Sequence, residues 1–398
     1  MNKLIITRWK GNLLTALYSD GRILELGLEE ESSTLGNIYV GKIKRIVKNL
    51  NSAFVDFGEG KTGYYSLDDN PVSLYANGFP ENEVPSQKLK NGDEIIVQVI
   101  KEATKSKDPV LASNLNFTGK YAVLTMGKKT IGFSNKIHDK NWKERLRPDL
   151  DALLCQKAGV IVRTNGYEMD QALLEEIRYL MEASRQVLKT AAYRTGATPI
   201  YQAEPEYLKT LKGCYKGTLD EILTDEKSVF ETIKEYLNRY PSEGMGELRY
   251  YEDPFVSLPA LYSLKTVTEQ ACQKRVWLKS GGYLVIEPTE AMVVIDVNTG
   301  KYSGKKNVRE TIRMINLEAA QEICRQLRLR NLSGIIMVDF IDMKEEEDKE
   351  ALMEALRCYA LQDPVKTTVV DMTQLNLVEL TRKKGKKPLW EQLAATKG

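Results

Sequence analysis

The sequence predicts a multidomain chain of mixed α/β class, and three features carry that reading. Residues 3–28 alternate as a β-meander. Residues 36–115 break into five short strands. Between Ala291 and Met343, two apolar runs, Met292–Val297 and Ile335–Phe340, enclose a helical stretch, Val308–Arg330. Strand, helix, strand is the pattern of a right-handed parallel crossover. A length of 398 residues leaves room for roughly two or three domains.

Composition excludes several chemistries. The only histidine is His138, so a His-dependent triad or His-rich metal site has no residues to build it, and chemistry must rest on carboxylates. The five cysteines, Cys155, Cys214, Cys272, Cys324 and Cys358, are scattered without a CxxC pair. That argues against a disulfide framework or structural zinc and fits a reducing cytoplasm, the expected location. The N-terminus MNKLIITRWKGN carries charges too early for a signal peptide. No apolar run approaches the ~20 residues that span a membrane, so no membrane association is expected. The net charge of +2 neither demands nor excludes a polyanion, so a nucleic-acid surface must come from local patches.

Taken in order, Lys3–Trp9 and Asn12–Tyr18 read as strands around Lys10-Gly11, and Asp20-Gly21 turns the chain into Arg22–Leu28. The five short strands, Ile38–Val47, Ser52–Phe57, Gly63–Leu67, Glu94–Lys101 and Val110–Leu115, suggest a small Greek-key barrel of the OB kind. The proline-bearing segment 70–88 reads as a long loop inside it. Phe54, Phe57, Tyr64 and Tyr65 mix with Lys42, Lys44, Arg45, Lys48 and Lys61. Such a face can stack bases and neutralise phosphates, although some of these rings must fill the barrel. Period-two alternation sends Phe54 and Phe57 to opposite faces.

Next come a basic segment, Lys136–Arg147, and a strand, Gly159–Arg163, that ends in Arg163-Thr164. An Arg and a Thr there could cap a phosphate, or simply close a solvated turn. Glu168–Leu188 reads as a helix with a stripe of Leu173, Ile177, Leu180, Met181 and Val187. Leu219–Thr224 and Val229–Arg239 read as modest helices, Thr266–Val276 as another, and Gly281–Ile286 as a strand. After the crossover, Lys344–Leu361 reads as a charged helix and Lys366–Asp371 as a strand. The run Arg382, Lys383, Lys384, Lys386, Lys387 is a basic patch, either solvated or a nucleic-acid contact.

The crossover unit holds the candidate chemistry. Its helix places Ile312, Ile315, Ala319, Ile323 and Leu327 at spacings of three and four, one face for a sheet. Each strand ends in a carboxylate, Asp296 and Asp339, at the sheet edge where open α/β sheets bind ligands. Neighbouring strands lie about 4.8 Å apart, and two ionised carboxylates that close repel unless a cation intervenes. Mg²⁺ takes oxygen ligands and is often held by one or two carboxylates plus substrate phosphate. Asn298 shares the face of Asp296 and could orient it. Two structural aspartates capping loops would look the same. No P-loop or dinucleotide fingerprint is present.

These residues resemble a known family. VVIDVNTG, INLEAAQEICRQLRLRNLSGIIMVDFIDM, GNIYVGKIKRIVKNLNSAFVDFG and GVIVRTNG are similar to motifs of the ribonuclease E/G family, in the same order. The resemblance spans nearly all of residues 1–390. It implies a Mg²⁺-dependent endoribonuclease, with Mn²⁺ as an alternative ion. The implied substrate is single-stranded, often A/U-rich RNA, cut by water to leave a 5′-phosphate and a 3′-hydroxyl, in rRNA and tRNA processing and mRNA decay. It implies an RNase H-like domain from 1–35 and 208–271, an inserted OB-fold RNA-binding barrel at 36–115, a 5′-sensor at 116–207, a DNase I-like catalytic subdomain at 272–390, and a tail at 391–398.

Carried over by position, Asp296 and Asp339 resemble the metal ligands and Asn298 their supporter. Phe54, Tyr64 and Lys107 resemble RNA-gripping residues of the barrel, with Tyr64 in place of a phenylalanine. Arg163 and Thr164 resemble a 5′-monophosphate pocket, joined by Lys366 where the family often has arginine. Lysine keeps that charge but loses the planar fork. Members of the E and G types continue into a cysteine pair that shares zinc between subunits. This sequence holds no such pair, so no zinc is expected, and any homodimer would form without a zinc link. The competing expectation is a non-catalytic RNA-binding or ribosome-associated protein. A Mg²⁺ phosphodiesterase acting on DNA or small nucleotides is a third, disfavoured by the barrel surface.

Overall fold

The computed structural model describes residues 1–29, 33–58, 60–76, 83–103, 107–127, 129–155, 157–194, 198–213, 219–240, 245–300 and 308–395. The chain divides into two compact units. One comprises Met1–Glu31 with Lys216–Gly398, and the other Ser32–Tyr215.

In the Ser32–Tyr215 unit, five strands close a ring: Ile38–Val47, Ser52–Gly58, Lys61–Ser66, Val110–Ala112 and Glu94–Lys101, with the last pairing back to the first. This is the five-stranded barrel the sequence predicts, consistent with an OB-fold. Its core gathers Ile43, Val55, Phe57, Tyr65, Ile95, Val97 and Leu111. Closure needs glycine at position 41, where a Cβ would sit 2.5 Å from Val55 Cγ1. The expected loop 70–88 carries two short strands instead, Val72–Tyr75 and Glu83–Pro85. Val72–Tyr75 pairs with Glu94–Lys101, Leu74 opposite Ile96 and Tyr75 opposite Ile95. The Tyr65 hydroxyl bonds Ser73 Oγ at 2.7 Å, and the Tyr75 hydroxyl donates to Asp93 at 2.8 Å.

The same unit holds a four-stranded sheet ordered Asn116–Thr118, Ala122–Met126, Ala158–Val162, Ile131–Phe133. The helix Asp170–Ala192 turns its buried Leu173, Ile177 and Leu180 inward. The basic segment becomes a second helix, Lys140–Leu153, started by Asp139, whose carboxylate accepts the Trp142 N–H at 3.0 Å.

The other unit contains two sheets. The first runs Glu247–Tyr250, Glu221–Thr224, Asn2–Trp9, Asn12–Ser19, Arg22–Glu29. Its first three strands are mutually parallel and its last three, sharing Asn2–Trp9, form the meander. Lys10-Gly11 and Asp20-Gly21 adopt paired positive φ angles (49° and 85°, 48° and 75°), as two-residue hairpins with right-handed strand twist require. Residues 221–224, read as helical, are a strand. All four are buried, in a strand that sits inside the sheet with a neighbour on each edge. A strand covered on both faces shows no alternation, which hid it.

The second sheet is ordered Arg275–Trp277, Tyr283–Pro288, Met292–Asn298, Gly334–Asp339, Leu377–Arg382, Thr367–Met372. Only Met292–Asn298 and Gly334–Asp339 pair in parallel; the other pairings are antiparallel. The crossover helix Val308–Leu329 and the helix Glu346–Leu361 contribute to one core with this sheet. The predicted helix over 266–276 stops at Ala271, and 275–277 form the edge strand. Residues 391–395, expected as tail, belong to a helix, Leu389–Ala395. It is held by buried Leu389 and by the Gln392 Oε1 acceptor 2.9 Å from Leu28 N.

Candidate active site

The crossover sets Asp296 and Asp339 directly side by side. Met292–Asn298 and Gly334–Asp339 pair in register, Met292 with Ile335 through Asp296 with Asp339. Both carboxylates therefore stand at the carboxyl ends of adjacent parallel strands. Alternation sorts the faces: Val293, Ile295, Val297, Ile336, Val338 and Phe340 are buried in the core shared with the helices. Asp296 and Asp339 point the other way and are exposed. Asn298 Nδ2 donates to Asp296 Oδ2 at 2.7 Å and holds that carboxylate in place.

The electrostatics follow from that geometry. The Asp339 carboxyl is held above the ordinary carboxylate value, first by desolvation and then by the charges of Asp296 and Asp342. A cation held between these two carboxylates would relieve that unfavourable charge on Asp339. The donors are hard oxygens, which suit Mg²⁺ or Mn²⁺. No group of three or more His, Cys, Asp and Glu gathers among the described residues. A cation held by two carboxylates alone would keep positions open for water and a phosphate oxygen.

One residue that sequence reasoning missed fixes the second aspartate. Asn316, fully buried on the crossover helix, donates from Nδ2 to the Ile341 carbonyl at 2.8 Å. Its Oδ1 accepts the Ile341 N–H at 3.2 Å. This pair of hydrogen bonds to one residue's backbone anchors the chain just past Asp339. The available signal was an asparagine between Ile315 and Ala319, inside an apolar stripe where a polar group needs a partner.

On the barrel, alternation divides the aromatic residues as expected. Phe57 (2% exposed) and Tyr65 (0%) are core. Phe54 and Tyr64 pair directly across two antiparallel strands, with ring centroids 6.2 Å apart and edge to face. The Arg45 guanidinium lies 5.1 Å from the Phe54 ring centre. Lys107 is exposed, three residues before Val110, which pairs with Tyr64.

Arg163 and Thr164 close the strand Ala158–Val162. Arg163 donates to the Gly119 carbonyl at 2.6 Å, and the Thr164 hydroxyl lies 3.0 Å from Ser134 Oγ. The adjoining turn has a second anchor that the sequence did not reveal. Glu176, 4% exposed, accepts the backbone N–H groups of Lys120, Tyr121 and Ala122 at 2.7, 2.7 and 2.9 Å. Like Asn316, it is a polar residue inside a helix's apolar stripe. Lys366 is exposed at the start of Thr367–Met372, in the unit that carries the aspartates, whereas Arg163 and Thr164 belong to the other.

Sequence comparison decides the family. A model of the ribonuclease E/G family matches residues 116–385. This chain belongs to the ribonuclease E/G family. Ribonuclease G of Escherichia coli (strain K12) is 32% identical over 378 residues, covering 92% of this chain and 77% of that protein. Ribonuclease G of Haemophilus influenzae is 33% identical over 388 residues, 94% and 78% of the two chains. Ribonuclease E of Synechocystis sp. is 31% identical over 397 residues, 98% of this chain and 58% of the longer protein.

In this ribonuclease E/G family member the basic run divides. Arg382 is no surface cation: it is 4% exposed. It donates from Nε to Asp363 Oδ2 at 2.7 Å, and from Nη1 to Asn331 Oδ1 at 2.8 Å. Strand alternation turns it inward while Lys383 and Lys384 stay exposed.

Proposed function

We propose that this ribonuclease E/G family member is an Mg²⁺-dependent endoribonuclease acting on single-stranded, A/U-rich RNA in rRNA and tRNA processing and mRNA decay. The family membership supports the endoribonuclease class. The observation that carries the mechanism is the in-register pair Asp296 and Asp339 on an open sheet face. Asp296 and Asp339 would hold Mg²⁺, or Mn²⁺ in its place, and Asn298 would keep the Asp296 carboxylate aimed. The ion would supply an activated water and charge neutralisation at the phosphodiester. Water attack at phosphorus releases the 3′-oxygen, leaving a 5′-phosphate and a 3′-hydroxyl.

The remaining assignments belong to the same reading. Phe54 and Tyr64 would stack bases beside Lys107, and Arg163 and Thr164 would engage a 5′-monophosphate. The strand order of the first sheet supports an RNase H-like domain, and the crossover sheet a DNase I-like subdomain. Cytoplasmic location and a homodimer without zinc complete it. No described helix is long and apolar enough to cross a membrane.

The test is incubation of a labelled single-stranded RNA with Mg²⁺ or with chelator, with the ends of the products analysed. Cleavage without divalent metal, or 5′-hydroxyl products, would refute the mechanism. For the barrel, Phe54→Ala is expected to weaken RNA binding by about 1–3 kcal/mol, read by filter binding, with an unchanged melting temperature. For the sensor, Arg163→Ala is expected to slow cleavage of 5′-monophosphorylated RNA more than of 5′-hydroxyl RNA. Equal losses on both substrates would remove that assignment.

A further inference from the structure

The open face of the aspartate sheet carries an aromatic pair that none of these assignments uses. Trp277 is 63% exposed, although tryptophan is on average highly buried. It stands opposite Tyr283 on the neighbouring strand, with ring centroids 5.3 Å apart. The Arg275 guanidinium lies 4.5 Å from the Tyr283 ring centre and 5.8 Å from that of Trp277. Tyr283 is in turn the cross-strand partner of Asn298, the residue that holds Asp296. Partners across a sheet share a face, so Trp277, Tyr283, Asn298, Asp296 and Asp339 all project to the same side. Trp277 lies two strand spacings, about 10 Å, from Asn298.

The platform is rigidly tied to the carboxylates. Glu318 on the crossover helix accepts the N–H groups of Lys279 and Ser280 at 2.7 and 3.0 Å, fixing the turn between the two aromatic strands. That turn also packs on the chain just past Asn298: a Cβ on Gly300 would sit 2.2 Å from the Gly281 carbonyl oxygen.

We propose that Trp277 and Tyr283, with Arg275, form a base-stacking subsite for a nucleotide of the RNA substrate flanking the scissile phosphodiester. The inference rests on the endoribonuclease reading and deepens it. The observations favour RNA over a protein partner. An indole face beside a guanidinium offers a base a stacking surface and its phosphate a cation. The row is also continuous with the carboxylates that define the cut. A base held there would fix the backbone register over Asp296 and Asp339, so the subsite would influence where the chain is cut.

The test uses the full chain in chelator, so that RNA is bound and not cut. Titration with a single-stranded oligoribonucleotide is expected to quench tryptophan fluorescence in the wild type, and the quench is expected to vanish in Trp277→Phe, which keeps a stacking ring and near wild-type affinity. Trp277→Ala is expected to bind roughly 5- to 150-fold more weakly. With Mg²⁺ it should show a raised KM and a retained kcat. A single abasic nucleotide next to the cleavage site should lower wild-type affinity and leave that of Trp277→Ala unchanged. If the wild type cuts RNA but Trp277→Ala keeps wild-type affinity and KM, the subsite is overturned and the endoribonuclease reading stands. If Trp277→Ala loses only a protein contact and binds RNA normally, the platform belongs to a protein partner and the proposal falls. If the wild type fails to cut, that reading falls by itself, and the fluorescence titration still decides whether Trp277 stacks on RNA.

Discussion

Asp339→Asn is expected to lower RNA cleavage roughly a thousandfold or more, equivalent to about 4 kcal/mol of transition-state stabilisation. The substitution keeps the shape of the side chain and removes the charge that would hold the cation. It should leave RNA affinity unchanged if the barrel carries the binding. It should also abolish the rise in melting temperature that Mg²⁺ is expected to give the wild type, because an ion that binds only the folded state stabilises it by mass action. Without metal, the sign of the stability effect is set by the raised Asp339 value, caused first by burial and then by Asp296 and Asp342. An acid whose folded value is raised costs nothing below its unfolded value. It opposes folding as pH rises through the folded value, where the chain must hold a partly desolvated charge beside two like charges. The metal-free variant should therefore match the wild type at low pH and equal or exceed it at neutral pH. Thermal melts in chelator across that range check this. A variant that melts lower at neutral pH but not at low pH would refute the repulsion account. Retained Mg²⁺-dependent cleavage would refute the assignment of the ligand.

Arg382→Met is expected to destabilise the fold by about 3–5 kcal/mol. Arg382 and Asp363 have side chains only 3% and 6% exposed. Removing the guanidinium leaves the Asp363 carboxylate without its Arg382 partner in the interior, and it deprives Asn331 Oδ1 of a donor. Lys383→Ala, one residue on and exposed, should fall within about 0.5 kcal/mol of wild type. Pairing Arg382→Met with Asp363→Leu should recover much of the loss, because replacing both buried charges with apolar groups is often near neutral. Urea denaturation of the three variants measures all of this. If Arg382→Met were as stable as Lys383→Ala while RNA binding fell, Arg382 would be a surface contact after all.

The contrast between these two sites shows how far the residues alone could be read. Asp296 and Asp339 were legible because β-branched runs mark strands and a stripe at spacings of three and four marks the helix between them. Together they force a parallel crossover. Phe54 and Phe57 were sorted by strand period alone. Residues 221–224 were misread because a strand buried on both sides has no period to read. Arg382 reads as one of its charged neighbours because nothing local says which of five cations turns inward. Asn316 and Glu176 interrupt apolar stripes, and their partners are distant in sequence: Ile341 for one, the backbone of 120–122 for the other.

What the sequence by itself determined was therefore the inventory and its periodicity: carboxylates as the chemistry, strands and helices of the crossover, a five-stranded barrel, and membership of a family of RNA-cutting enzymes. What only the tertiary structure decided was register and pairing. It set Asp296 against Asp339, put Arg382 on Asp363, closed Asn316 on Ile341, and placed Trp277 in a row with Asn298. Local sequence encodes which way a side chain faces within its own element. The neighbour it meets depends on how strands slide against one another and which elements cover them, and that is settled by packing the whole unit at once.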